Sequence, residues 1–297
     1  MARAASKSKS KSKIKPTATS YQDSKYDQMS YYETVTAAVS DIADFGFDSM
    51  ERLETWMRRV KSSAERTLPP PDELVRDVRR RLESDYERYV EKEGVRKQHP
   101  GVSSFTIQNI KPELRAELDR RIMASAQLIK LNREEAIQKT QRRLAGWATS
   151  ISPDGVMVES KNEVNEDIRH SIKQLSFEER RVVIDQSHKL FSAVNNIVAT
   201  SGGAIAVEWH SHWKEAGYKY RKQHKARDGH IYALKGNWAL EKGLMKPNDD
   251  GYYEDIDGFS QEPYCRCYGT YIYDLDELPP DMLTEKGKET MEALEKL

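Results

Sequence analysis

Ser201-Gly202-Gly203-Ala204-Ile205-Ala206-Val207-Glu208-Trp209 is the stretch where this chain changes character. Paired glycines end a helix, because glycine alone enters the left-handed region without a steric penalty. The residues before them predict one: Phe177, Val183, Ile184, Phe191, Val194, Ile197 and Val198 form an apolar band over 176–200. Ser176 and Glu179 have the spacing of a capping box at its start. The residues after the glycines have strand character, over Ala204 to Trp209 and again over Thr270 to Tyr273. Residues 201–297 hold 13 of the 26 aromatics, 10 of the 15 glycines and both cysteines, the composition of a turn-rich packed module. The expected class is α+β, with an extended helical N-terminal arm followed by a small mixed α+β C-terminal domain.

Upstream, Val35, Val39, Ile42, Met50, Leu53, Met57 and Val60 recur at helical spacing, with Gly46 as a break. Pro69-Pro70-Pro71 is a stiff hinge, and Pro71-Asp72 opens a helix carrying Leu74, Val78, Leu82, Tyr86 and Val90, with Gly94 as its stop. After the His99-Pro100-Gly101 turn, Leu114, Leu118, Ile122 and Ile129 mark a third helix from about Lys111 to Thr149, its opposite face rich in Arg and Lys. Ser152-Pro153-Asp154-Gly155 is a turn signal that bounds the helical arm. The expected organisation is a basic tail at 1–25, a helical docking arm at 26–152, a compact domain with its lead-in helix at 153–279, and a charged helix at 280–297.

The 297 residues suffice for two domains, and 37% hydrophobic against 32% charged residues calls for helices with wide solvated faces. The 48 basic residues equal the 48 acidic ones, yet residues 201–297 hold 13 Lys/Arg against 18 Asp/Glu, so the basic excess lies in front. No apolar run reaches membrane-spanning length, and the Lys/Ser-rich start lacks the apolar stretch of a secretory signal. The expected setting is a cytoplasm. Arg3, Lys7, Lys9, Lys11, Lys13 and Lys15 come without an acidic neighbour, as in a tail that screens nucleic-acid phosphate or one that only confers solubility.

Cys265 and Cys267 are too close in sequence for an unstrained disulfide. With His224 and His230 they are candidate ligands for a structural zinc, although Cys-x-Cys departs from the usual ligand spacing. The alternative is two small buried thiols and histidines satisfied in a core. Asp249, Asp250, Glu254, Asp255 and Asp257 fail the calcium-loop pattern and read as a solvated acidic loop. Lys219, Arg221, Lys222, Lys225 and Arg227, interleaved with Tyr218 and Tyr220, form either a phosphate-contacting patch or a charged helix face with an internal Arg–carboxylate network. The nucleophile elbow, the phosphate loop and the metalloprotease helix are all missing from the sequence.

Taken together, Val207-Glu208-Trp209, then His224-Lys225-Ala226-Arg227-Asp228-Gly229, then Pro263-Tyr264-Cys265-Arg266-Cys267 resemble the phage head morphogenesis family typified by the F protein of phage Mu. The helix from Arg180 to Ser187, running into Asn195-Asn196, is similar to the family's lead-in helix, so the resemblance spans about 177–275. It implies a minor capsid protein of the virion, held at the portal vertex or on packaged DNA and acting in head assembly or genome delivery. Its partners would be portal, scaffold or major capsid protein and the double-stranded DNA backbone, with no membrane. Some relatives are toxins with nuclease-like or related activity; a nuclease or ADP-ribosyltransferase-like enzyme is therefore the rival reading, with His188, His224 and Arg266 as its candidates. Independently of the family, Asp228-Gly229 suits a tight turn, Trp209 is an apolar plate at a strand end, and a strand would put both thiols on one side. Arg266 would then clamp a carboxylate, Asp228 or one of the acidic loop.

Overall fold

The computed structural model describes residues 26, 28–46, 49–92, 94–151 and 160–294. The basic tail with Arg3, Lys7, Lys9, Lys11, Lys13 and Lys15, and the Ser152 to Gly155 turn, lie outside the described residues. The fold is α+β, with helices over the N-terminal part and a three-stranded antiparallel sheet in the C-terminal part. The compact units are not consecutive segments: one comprises Met1–Pro70 and Leu131–Phe177, the other Pro71–Lys130 and Glu178–Leu297.

In the first unit, α1 (Tyr31–Phe45) starts at a capping box in which Ser30 Oγ accepts from Glu33 N–H while the Glu33 carboxylate accepts from Ser30 N–H. It stops at Gly46, whose φ of 74° is costly for any side chain, and α2 (Met50–Thr67) follows. Val35, Val39, Ile42, Leu53 and Val60 face one core with Leu144, Ala148, Ile168 and Leu175 of the long helices α5 (Ser104–Ser150) and α6 (Lys161–Ser201). Met50 was expected in that stripe but is exposed, being the first residue of α2. Asp41 is buried because it is fully used: Arg52 binds it through Nε and Nη2 at 2.8 and 2.9 Å, and Trp56 Nε1 donates at 2.7 Å.

The second unit begins with α3 (Pro71–Tyr86), which loosens into a π-turn at Glu87–Glu91 and is followed by α4 (Gly94–Gln98). Gly94, expected as a stop, instead opens α4; a Cβ there would lie 2.9 Å from the Tyr89 carbonyl oxygen. Val78, Leu82, Tyr86 and Val90 pack with Leu114, Leu118, Ile122 and Ile129 of α5 and Leu190, Val194 and Val198 of α6. Two helix starts differ from expectation. α5 begins at Ser104, not Lys111, because Ser103 Oγ caps Thr106 N–H upstream of Pro112, which the helix then accommodates. α6 begins at Lys161, so Ser176 is interior; the capping pair is Ser160 and Glu163, each accepting from the other's N–H at 3.2 Å.

Gly202 and Gly203 end α6, and the chain enters β1 (Ala206–His210). β1 is the central strand, flanked by β2 (Ile231–Ala233) and β3 (Tyr268–Ile272) in the order β2-β1-β3. The register pairs Val207 with both Tyr232 and Tyr271, and Trp209 with Gly269. Alternation divides the strands between two cores. Ala206, Ala233 and Ile272 join one with Met245, Leu275 and Met282; Val207, Trp209, Tyr232 and Tyr271 join the other with Phe259, Cys265 and Cys267. β2 was expected only as part of a loop-rich stretch, being three residues long. The C-terminal helix α9 starts later than expected: after α7 (Lys222–Ala226) and α8 (Trp238–Glu241) it covers Glu285–Leu294, with a 3₁₀ turn at Pro280–Met282 ahead of it.

Candidate functional site

The second of these cores is built around Trp209. It is wholly buried, and its ring meets Phe259 at 4.5 Å and His224 edge-on at 5.5 Å between centroids. Arg227 lies over it at 5.0 Å. His224 comes from α7 and is 2% exposed, as is Cys267; Cys265 is 1% exposed. Cys265, Arg266 and Cys267 do not form part of β3, as the sequence suggested, but a stretch without regular secondary structure just ahead of it. Alternation still operates there, turning both thiols inward and Arg266 outward.

Each ring nitrogen of His224 has its own surroundings. Nε2 lies 3.0 Å from the Asp257 carboxylate and 3.5 Å from Glu262, while Nδ1 lies 3.5 Å from both sulfurs. The backbone of Ser260 and Cys267 beside Cys265 Sγ favours its thiolate, and the side chains of Ser211 and Trp209 face Cys267 Sγ. Neither Ser211 Oγ nor Trp209 Nε1 has a hydrogen-bond partner elsewhere in the described protein. The two thiols share their acidity. The neighbouring Cys267 thiol draws Cys265 below the ordinary thiol range, burial opposing it, and the same neighbour holds Cys267 above that range. The loop reaches this geometry at Ser260 and Tyr264, non-glycine residues with φ of 58° and 62°, a backbone strain that concentrates at functional sites.

Asp257 also accepts from Arg227 at 2.8 Å, and this hydrogen bond, with that from His224, holds its carboxyl down at about 2 against the effect of burial. The acidic loop is therefore not simply solvated. Asp257 serves His224 and Arg227, Asp250 faces His230 Nδ1 at 2.7 Å, and Asp255 pairs with Lys235. His230 lies apart from the thiols on that Asp250 contact, so only His224, Cys265 and Cys267 of the four candidate ligands converge.

The Asp228-Gly229 turn forms as expected, with Gly229 at φ 81° and its N–H donating to Trp209 O at 2.8 Å. The Asp228 side chain does not bond its own downstream backbone; it accepts from Ser211 N–H and Trp213 Nε1–H, each at 2.7 Å. Arg266 pairs with neither Asp228 nor the acidic loop but with Glu215 at 3.1 Å, since its outward direction puts it beside the stretch after β1.

No protein-family model, curated protein or solved structure matches this chain.

The basic cluster divides. Arg221 is engaged with Glu262 and donates to Pro263 O at 2.9 Å, and Arg227 is engaged with Asp257. Lys219, Lys222 and Lys225 are exposed, Lys225 lying 4.1 Å over the Trp213 ring. A cleft of about 620 Å³ gathers Arg181, Lys219, Arg221 and Arg266 around Tyr218 and Tyr264. His188 is half-buried, its pKa lowered by burial and then by nearby Arg266. Asp257, Ser211 and Glu262 escaped the sequence reading because no spacing links them to His224 or the thiols. The one available signal for Asp257 was its place in the acidic loop. Among the described residues no helix is long and apolar enough to cross a membrane.

Proposed function

We propose that this chain is a minor head protein of a tailed bacteriophage, acting in head assembly or genome delivery at the portal vertex or on packaged DNA. The reading rests on the sequence resemblance, and one structural observation supports it. The three segments that carry the resemblance lie far apart in the chain yet share one core, with Trp209, His224, Cys265 and Cys267 in contact and the Asp228-Gly229 turn hydrogen-bonded to Trp209. Such convergence is what a single motif-bearing module requires. The helices ahead of the module would dock on portal, scaffold or major capsid protein.

The basic tail and the exposed Lys219, Lys222 and Lys225 would contact the DNA backbone, beside the cleft lined by Arg181 and Arg266. No catalysis is assigned. His224 is enclosed with both ring nitrogens engaged, and Arg266 is engaged by Glu215. Mass spectrometry of purified virions, before and after genome ejection, is the test: peptides of this chain should accompany the portal protein at low copy. Virions containing portal and major capsid protein but none of this chain would overturn the assignment. For the DNA interaction, binding should be indifferent to sequence and fall with salt. Replacing Lys219, Lys222 and Lys225 by Gln should reduce the log–log slope by roughly 0.9 for each phosphate that is no longer neutralised.

A further inference from the structure

The two thiols and His224 share a geometry that no assembly role requires. The three ligand atoms lie within 4.8 Å of one another, with all three residues buried. We propose that His224 Nδ1, Cys265 Sγ and Cys267 Sγ bind a thiophilic divalent cation, zinc in the cell, which clamps α7 to the segment ahead of β3.

Three observations meet here. The Asp257 carboxylate, 3.0 Å from Nε2, holds the proton on that nitrogen and so leaves Nδ1 unprotonated, its lone pair facing the two sulfurs. A carboxylate behind a histidine is the usual means of fixing a ligating ring and raising its basicity. Both sulfurs lie 3.5 Å from that nitrogen, close enough for one ion to take all three atoms as ligands. Cys267 Sγ is faced by the Ser211 hydroxyl and the Trp209 indole N–H, buried donors with no other described acceptor, which an anionic sulfur would satisfy.

Two sulfurs and an imidazole nitrogen favour zinc over magnesium or calcium, which take oxygen ligands. Among the described residues no fourth protein ligand joins the group, which leaves a tetrahedral position for water. The clamp would join residues 41 and 43 positions apart where the local backbone is strained at Ser260 and Tyr264.

The test uses the full chain, tag removed, purified under reducing conditions without added metal. Elemental analysis should find about one zinc per chain, as a single three-ligand site requires. After chelation, cobalt(II) should give thiolate-to-cobalt charge-transfer absorption and strong visible bands of a tetrahedral ion, both abolished by equimolar zinc. Asp257→Asn should keep the spectrum while weakening affinity about 10- to 100-fold, the usual cost of losing such a carboxylate. Cys265→Ser with Cys267→Ser should abolish it. A reduced, helical wild-type chain that shows no thiolate–cobalt band overturns the proposal without reliance on any variant folding. Undiminished cobalt binding by the double serine variant overturns it equally. Both readouts come from the isolated chain, so their failure is distinct from failure of the virion assignment.

Discussion

Asp228 holds two donors that only an acceptor at its position can serve, the Ser211 N–H and the Trp213 indole N–H. Burial raises its carboxyl, but those two hydrogen bonds outweigh it and the pKa falls below the ordinary value. Asp228→Ala leaves a backbone N–H and an indole without their acceptor, which should cost about 2–3 kcal/mol in urea unfolding. The pH dependence has a definite sign. Because the folded-state pKa is depressed, the stabilisation is present above the unfolded carboxylate value of about 4 and is lost as pH falls through the lower folded one. Asp228→Asn should therefore flatten the stability profile below about pH 4, and an unchanged acid limb would refute the role. At this scale the sequence was legible in part: a turn was readable at Asp228-Gly229, but not that the carboxylate reaches across to Ser211 and Trp213. Likewise Arg266 was readable as a clamp, while its partner Glu215 was not, because nothing local distinguishes one carboxylate from another.

At the scale of elements, β1 and β3 approach through a glycine. A Cβ on Gly269 would lie 2.5 Å from Phe259 Cε2 and Val207 Cγ2, inside the core that holds Trp209. Gly269→Ala should overpack it, costing about 1–3 kcal/mol. A loss below about 0.5 kcal/mol in chemical denaturation, the size of an ordinary surface change, would mean that the Phe259 loop yields freely, contrary to this packing. β1 was legible because apolar residues follow the two glycines, and α1 and α2 because Gly46 separates two helical stripes. The start of α6 was misplaced for a local reason: Ser160-x-x-Glu163 carries the same capping chemistry as Ser176-x-x-Glu179, and the pattern alone does not choose. β2 was invisible, since three residues cannot display a period.

For the whole molecule, two compact units do not share a core and so have separate sensitivities. Leu144 is fully buried with Tyr31, Val60 and Ile168 in the first unit. Leu144→Ala should lower that unit's stability by about 2–5 kcal/mol, the range for a buried leucine cavity. Trp56 and Trp147 belong to that unit, and Trp209, Trp213 and Trp238 to the other. Fluorescence followed through denaturation should thus shift chiefly in the signal of the first pair. An equal shift in both sets would show that the units unfold as one. The sequence by itself determined the apolar stripes of the long helices, the main strands, the α+β class and the residues that carry the resemblance. Periodicity, capping and glycine conformation act within a few residues and are written into the chain locally. Only the tertiary structure decided that residues 71–130 pack with the C-terminal module, that Asp257 stands behind His224, and that His230 stays away from the thiols. Those pairings join positions tens of residues apart, and their selection depends on core packing that no short window of sequence contains.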